Sequence, residues 1–132
     1  MHLPFCSTVC FYCACNKVIT ANKARGEEYL RYLKKEIDLH CELFHDRPRV
    51  EQMHWGGDTP AFFDNTTLAA LYALLRRRFD LAPGGEYSIE IDPRTVSAES
   101  VTGLHLMGFN RLSLGVQDFD AHVKRAVNRV QS

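Results

Sequence analysis

Stretches of strand character and stretches of helical periodicity take turns along this chain, and their order limits its folds more than anything else in it. Residues 2–5 read as the tail of a first strand. Apolar residues at nearly helical spacing (Tyr29, Leu30, Tyr32, Leu33, Ile37, Leu39 and Leu43) predict a helix over about 24–44. Val50 to Trp55 reads as a short strand running into Gly56 and Gly57. Asn65 or Thr66 can cap a second helix, whose apolar stripe is Leu68, Leu71, Leu74 and Leu75. Arg76, Arg77 and Arg78 fall in its last turns, where positive charge suits the helix dipole. Pro83-Gly84-Gly85 predicts a turn, and Glu86 to Ile91 a third strand that Pro93 stops. A third helix over Ser97 to Met107 is closed by Gly108. Asn110 to Leu114 completes the strands, and Asp118 to Arg129 predicts a fourth helix.

Alternation of this kind implies an α/β fold with parallel strands joined by right-handed crossovers. No Gly-x-Gly-x-x-Gly follows any strand, so a dinucleotide-binding fold is disfavoured. A partial (β/α) barrel is the expectation, because closing one takes about eight strands and about four βα units can be read here. Residues 1–132 are accordingly expected to be one truncated domain, with the rest of the barrel and a C-terminal domain outside it. Sixteen basic and sixteen acidic residues cancel, so neither nucleic acid nor an anionic membrane is the expected partner. No apolar run approaches the ~20 residues of a membrane span.

In such barrels chemistry collects at the carboxyl ends of the strands. The four ends carry, in turn, the cysteine-rich loop after residue 5, Gly56-Gly57-Asp58-Thr59-Pro60, Glu90-Ile91-Asp92-Pro93 and Gly115-Val116-Gln117-Asp118. Glycines, carboxylates and an amide at all four ends predict one shared site. Four of the five cysteines lie in the first end, as Cys6, Cys10, Cys13 and Cys15. With no secretory signal before them, a disulfide framework is disfavoured and a reducing, cytoplasmic setting expected. Structural zinc usually takes two Cys-x2-Cys knuckles, and only one is present here. Three thiolates from one loop suit three irons of a [4Fe–4S] cluster, leaving the fourth iron open. Cys15 is badly placed as a fourth ligand, and Cys41 is expected mid-helix as a small buried hydrophobe.

The spacing Cys-x3-Cys-x2-Cys resembles the signature of the radical S-adenosylmethionine superfamily. Within it, His2-Leu-Pro-Phe-Cys6, Cys13-Ala-Cys15-Asn-Lys17, His54-Trp-Gly-Gly-Asp-Thr-Pro60, Ile89-Glu-Ile-Asp-Pro-Arg94 and the run from Phe109 to Phe119 resemble the oxygen-independent coproporphyrinogen III oxidase (dehydrogenase) family. Cys15-Asn16-Lys17 distinguishes it from the related haem chaperones, which typically lack that fourth cysteine; a haem-delivery protein without dehydrogenase activity is the alternative. The resemblance implies that Cys6, Cys10 and Cys13 hold the cluster, with S-adenosylmethionine chelating the open iron. Tyr12 matches an aromatic that lies against S-adenosylmethionine. Gly57, Thr59, Glu90, Gln117 and Arg129 match its further contacts.

The activity implied is conversion of two propionates of coproporphyrinogen III to vinyl groups, giving protoporphyrinogen IX. It uses a 5′-deoxyadenosyl radical, two S-adenosylmethionines per full site and a reducing electron donor. A cytoplasmic monomer is expected. The chain departs from the family where a third glycine usually follows the tryptophan; here that residue is Asp58. A carboxylate at this place is expected to accept the methionyl ammonium. Asp58→Gly should therefore weaken S-adenosylmethionine binding in a calorimetric titration, and binding as tight as the parent's would remove that role.

Overall fold

A computed structural model describes residues 1–57 and 62–131. Within them, β1 (His2–Leu3), β4 (Arg49–Gly57), β5 (Asp80–Ile91) and β6 (Arg111–Leu114) form a parallel sheet in the spatial order β1-β4-β5-β6. The crossovers are α1 (Lys23–Cys41), α2 (Asn65–Arg78) and α3 (Ala98–Met107), and α4 (Ala121–Ala126) follows β6. This is the partial (β/α) barrel that the alternation predicts. One feature was not expected: β2 (Phe5–Cys6) pairs in parallel with β3 (Val18–Ile19), a further short strand before α1. That small pair closes the cysteine loop at its base, where the Val18 and Thr20 amides donate to Pro4 and Cys6 carbonyls at 2.6 and 3.0 Å.

Register comes from burial. Leu3, Trp55 and Ile89 are fully buried, one on each of β1, β4 and β5, and Trp55 stands directly opposite Ile89. Strand side chains alternate between faces, so these residues commit one face of the sheet to the helices. Against it pack Leu33 and Ile37 of α1, Leu68, Leu71, Tyr72 and Leu75 of α2, and Leu104 of α3. The opposite face carries His54, Ser88, Glu90 and Ser113, with Glu90 paired to Ser113.

Several boundaries differ from expectation for local reasons. Helix α1 ends at Cys41, so Cys41 is its half-buried last residue rather than a mid-helix one, and Leu43 lies beyond the helix, exposed. Tyr32 and Leu39 are also exposed, which leaves Tyr29, Leu30, Leu33 and Ile37 as the packing stripe. Asp64 caps α2, its carboxylate accepting from the Thr67 amide at 2.7 Å, in place of Asn65 or Thr66. Pro83-Gly84-Gly85 does not separate two elements. It is an outward bulge within β5, whose flanks both pair with β4 on either side of a register shift. Helix α4 is about half the length expected, because Asp120 caps it and Asn128 turns into the left-handed region (φ 56°) soon after its end. The Ser97 cap and the Gly108 stop of α3 are as expected; Gly108 has φ 123°, which favours glycine.

Trp55 ties the two layers together, its ring edge-on to Phe109 at 4.9 Å and tilted against Tyr72 at 6.1 Å. Among the described residues its buried indole N–H has no hydrogen-bond partner. Trp55→Ala should therefore cost about 4 kcal/mol in urea denaturation. Trp55→Phe should cost less than half as much, because it keeps the ring and removes an unsatisfied donor. Equal costs for the two would show that ring packing does not hold the layers together.

Candidate functional site

The cysteine loop hangs over the carboxyl ends of the strands because both its base and its crown are tied down. The β2–β3 pair holds the base. At the crown, the Phe11 amide donates to the Val127 carbonyl at 3.0 Å, and the Asn128 side chain donates to the Val9 carbonyl at 2.7 Å. Within the loop the Cys13 amide donates to Cys10 O at 3.2 Å, and Lys17 Nζ donates to Cys13 O at 2.5 Å.

Below the loop is a cavity of about 220 Å³. Cys6, Cys10, Cys13, Tyr12, Gly57, Glu90, Gln117 and Arg129 all line it. Every sequence-predicted site residue among those described therefore reaches one place. Asp58 and Thr59 lie outside the described residues. Cys15 lines the cavity too, but from an exposed position.

Each lining residue has a local reason for its position. Gly57 ends β4 with φ 125°, and a β-carbon there would sit 2.5 Å from the Leu3 carbonyl oxygen, so strand β1 can pass this close only to glycine. Its amide donates to Glu90 Oε2 at 3.0 Å, and His54 Nε2 lies 3.8 Å from the other oxygen of that carboxylate. His54 is steadied in turn by a 2.7 Å hydrogen bond with Ser88 Oγ. Gln117 has φ 72°, which turns the chain after Gly115 back toward the cavity. Tyr12 is half-exposed on the rim; burial pushes its hydroxyl above the ordinary phenol range although Arg129 opposes this, so it is a neutral donor.

Arg129 lies just beyond the end of α4. It is buried, with Nε and Nη2 donating to the Gly115 carbonyl at 3.2 and 2.8 Å. Its Nη1 donates to Cys10 Sγ at 3.6 Å, and Nη2 lies 3.5 Å from Asp92 Oδ1. Asp92 and Arg94 are the residues that sequence reasoning left without a role. The signal for Asp92 was available: it lies two residues after Glu90, on the same side of an extended chain. Asp92 is 4% exposed. It accepts from the Arg94 amide at 2.9 Å, from Arg94 Nε at 3.0 Å on each oxygen, and from Arg94 Nη2 at 2.6 Å. Arg94 Nη2 also donates to Cys10 Sγ at 3.8 Å. Nothing in the spacing of residues 10, 94 and 129 announces this convergence, which needs the fold.

The electrostatics follow from that geometry. Burial pushes the Asp92 carboxyl up, but the Arg94 hydrogen bonds and the charge of Arg129 outweigh it and hold it below the usual carboxylate range. Arg94 is in turn held well above the ordinary guanidinium range, first by its hydrogen bond to Asp92. Two guanidiniums against one carboxylate leave one positive charge in surplus, and the group next to both cations is the Cys10 sulfur. The donor set thus presents two cationic N–H groups to the Cys10 sulfur.

With a folded pKa below the unfolded one, Asp92 adds stability above about pH 4 and loses it as the pH falls through the folded value. Asp92→Asn should therefore cost about 3 kcal/mol at neutral pH, since it leaves the buried Arg129 and the part-buried Arg94 uncompensated. The deficit relative to the parent should shrink below about pH 4. A pH-independent deficit in denaturation curves would mean that shape, not charge, is what Asp92 supplies.

The sequence pattern of the Radical SAM superfamily matches residues 1–132. The chain is 44% identical over 131 residues to the oxygen-independent coproporphyrinogen III oxidase of Salmonella typhimurium, covering 99% of this chain and 28% of that protein. It is 46% identical over 134 residues to the enzyme of the same name from Pseudomonas aeruginosa, covering 100% of this chain and 29% of that protein. A solved structure of coproporphyrinogen III oxidase from Escherichia coli, described as a Radical SAM enzyme, superposes with a TM-score of 0.93 at 43% identity. That superposition covers 99% of this chain and 30% of the other. The chain thus spans rather less than a third of the length of the relatives it matches.

Proposed function

Because the chain belongs to the Radical SAM superfamily, we propose that it is part of an oxygen-independent coproporphyrinogen III oxidase, an oxidoreductase of haem biosynthesis. Its substrate is then coproporphyrinogen III, and the product carries vinyl groups where two propionates stood. Superfamily membership implies a [4Fe–4S] cluster and S-adenosylmethionine. The finer reading is carried by one observation: the three cysteines, Tyr12, Gly57, Glu90, Gln117 and Arg129 surround a single cavity. The likeness to the oxidases runs through all of those positions. Four βα units are read as the opening part of a larger barrel, with the remaining tetrapyrrole contacts supplied by other residues of the longer protein.

The donor set fits the group. Three sulfurs come from one loop, and the sulfur of Cys10 lies beside a surplus positive charge. Cys6, Cys10 and Cys13 would each hold one iron, and the open iron would take the amino and carboxylate groups of S-adenosylmethionine. When bound and supplied with an electron, this pair provides hydrogen-atom abstraction from an unactivated carbon. What the protein does is position and exclude. Tyr12 on the rim offers a ring face to an adenine. Glu90, already accepting from the Gly57 amide, has a second oxygen available for ribose hydroxyls. Gln117 and Arg129 offer an amide and a guanidinium to the methionyl carboxylate. Thr59 as a further contact and Asp58 as acceptor of the ammonium, both outside the described residues, belong to the same reading. A second S-adenosylmethionine and a separate reducing donor belong to the same reading, as does action as a monomer.

The test is direct. The full-length protein, reconstituted anaerobically with iron and sulfide, should contain about four of each per chain and should form vinyl groups from coproporphyrinogen III while consuming S-adenosylmethionine. Alanine at Cys6, Cys10 or Cys13 should abolish both. A haem absorbance band without turnover would replace this reading with haem delivery, and zinc in place of iron would replace it with a zinc module.

A further inference from the structure

We propose that Arg94, clamped by Asp92, is a positioning residue for the cluster, donating a hydrogen bond to Cys10 Sγ and thereby raising the cluster's reduction potential. The proposal rests on the reading that Cys10 is a cluster ligand.

Two arginines reach Cys10, but they do so from different places. Arg129 lines the 220 Å³ cavity beneath the loop and so is available to whatever occupies it. Arg94 does not line that cavity. It borders a separate space of about 210 Å³ on the far side of Cys6 and Asp92, walled by Ser7, Thr8, Phe62 and Thr95. From that side the guanidinium reaches the Cys10 sulfur without itself lining the main cavity.

Its geometry is also restricted. Nε and Nη2 are both occupied by the Asp92 carboxylate, and Nη2 is additionally turned to Cys10 Sγ at 3.8 Å. The carboxylate is fixed in turn, since Asp92 Oδ1 accepts from the Arg94 backbone amide at 2.9 Å and Asp92 O accepts from the Thr95 amide at 3.0 Å. The clamp is therefore held by the chain's own atoms. The side chains of Asp92 and Arg94 are 4% and 20% exposed, so water screens the arginine's charge only weakly.

Reducing the cluster adds one negative charge shared with its sulfur ligands. A charged donor on a ligand sulfur stabilises that reduced form more than the oxidised one, and hydrogen bonds to sulfur are among the main controls of cluster potential. Lysine could keep the charge of Arg94, but its compact ammonium lacks the planar fork that grips a carboxylate while reaching a second acceptor.

The experiment is a redox titration followed by electron paramagnetic resonance on the reconstituted full-length protein, with iron counted for each variant. Arg94→Met should hold its iron and yet show a reduced-to-oxidised ratio about tenfold lower at a fixed potential, which for a one-electron couple is about 59 mV. Arg94→Lys should fall between that variant and the parent. If Arg94→Met does not load, Arg94→Lys decides: a ratio below the parent's supports the proposal, and one equal to it overturns it. Unchanged ratios in both loaded variants overturn it as well. A different result would undo the ligand reading itself, namely full iron content in Cys10→Ala.

Discussion

Parallel pairing is the constraint from which the rest of this structure follows. Strands that all run the same way end on the same side, so loops distant in sequence must share one rim. The fully buried Leu3, Trp55 and Ile89 fix which way each strand faces, since a slip of one residue would turn them to the opposite face. With Trp55 opposite Ile89 and Leu3 opposite Gly57, Gly57 and Glu90 have no choice but to meet beneath the cysteine loop. The site is less a constructed pocket than the place where correctly registered strands finish.

Much of this was legible in the residues alone. Helical spacing located three crossovers, and glycines and carboxylates at four strand ends pointed to a common rim. What could not be read has identifiable physical causes. The β2–β3 pair is two residues long on each side, too short for period-two alternation to declare itself. The bulge at Pro83-Gly84-Gly85 looks like a turn locally, and only pairing of both flanks with β4 makes it part of one strand. Helix α4 is short because a cap at Asp120 and a left-handed Asn128 overrule the apolar pattern. The convergence of Asp92, Arg94 and Arg129 on Cys10 was hidden for a different reason: only tertiary structure brings the three together. Asp58 and Thr59 were read from the chain and lie outside the described residues.

Burying Asp92 with two arginines is an arrangement that, taken by itself, is electrostatically incomplete. A single carboxylate is shared by two guanidiniums, and both also reach the Cys10 sulfur. One buried charge cluster thus ties the end of β5 to the cysteine loop. The surface on the helix side of β6 differs, since Leu112 and Leu114 are exposed although their partners Ile89 and Ile91 are buried. That edge is apolar where the rest of the helix-facing sheet is covered.

The ties that crown the cysteine loop link residues 9 and 11 to residues 127 and 128. Contacts of such long sequence separation form late, since loop closure must first bring together residues 119 apart. During synthesis, at roughly 5–20 residues per second, the cysteines leave the ribosome many seconds before the segment that seats them. Over that interval Cys10 has neither arginine beside it. The cysteine loop is therefore seated only once the segment around residues 127 and 128 has folded back onto it.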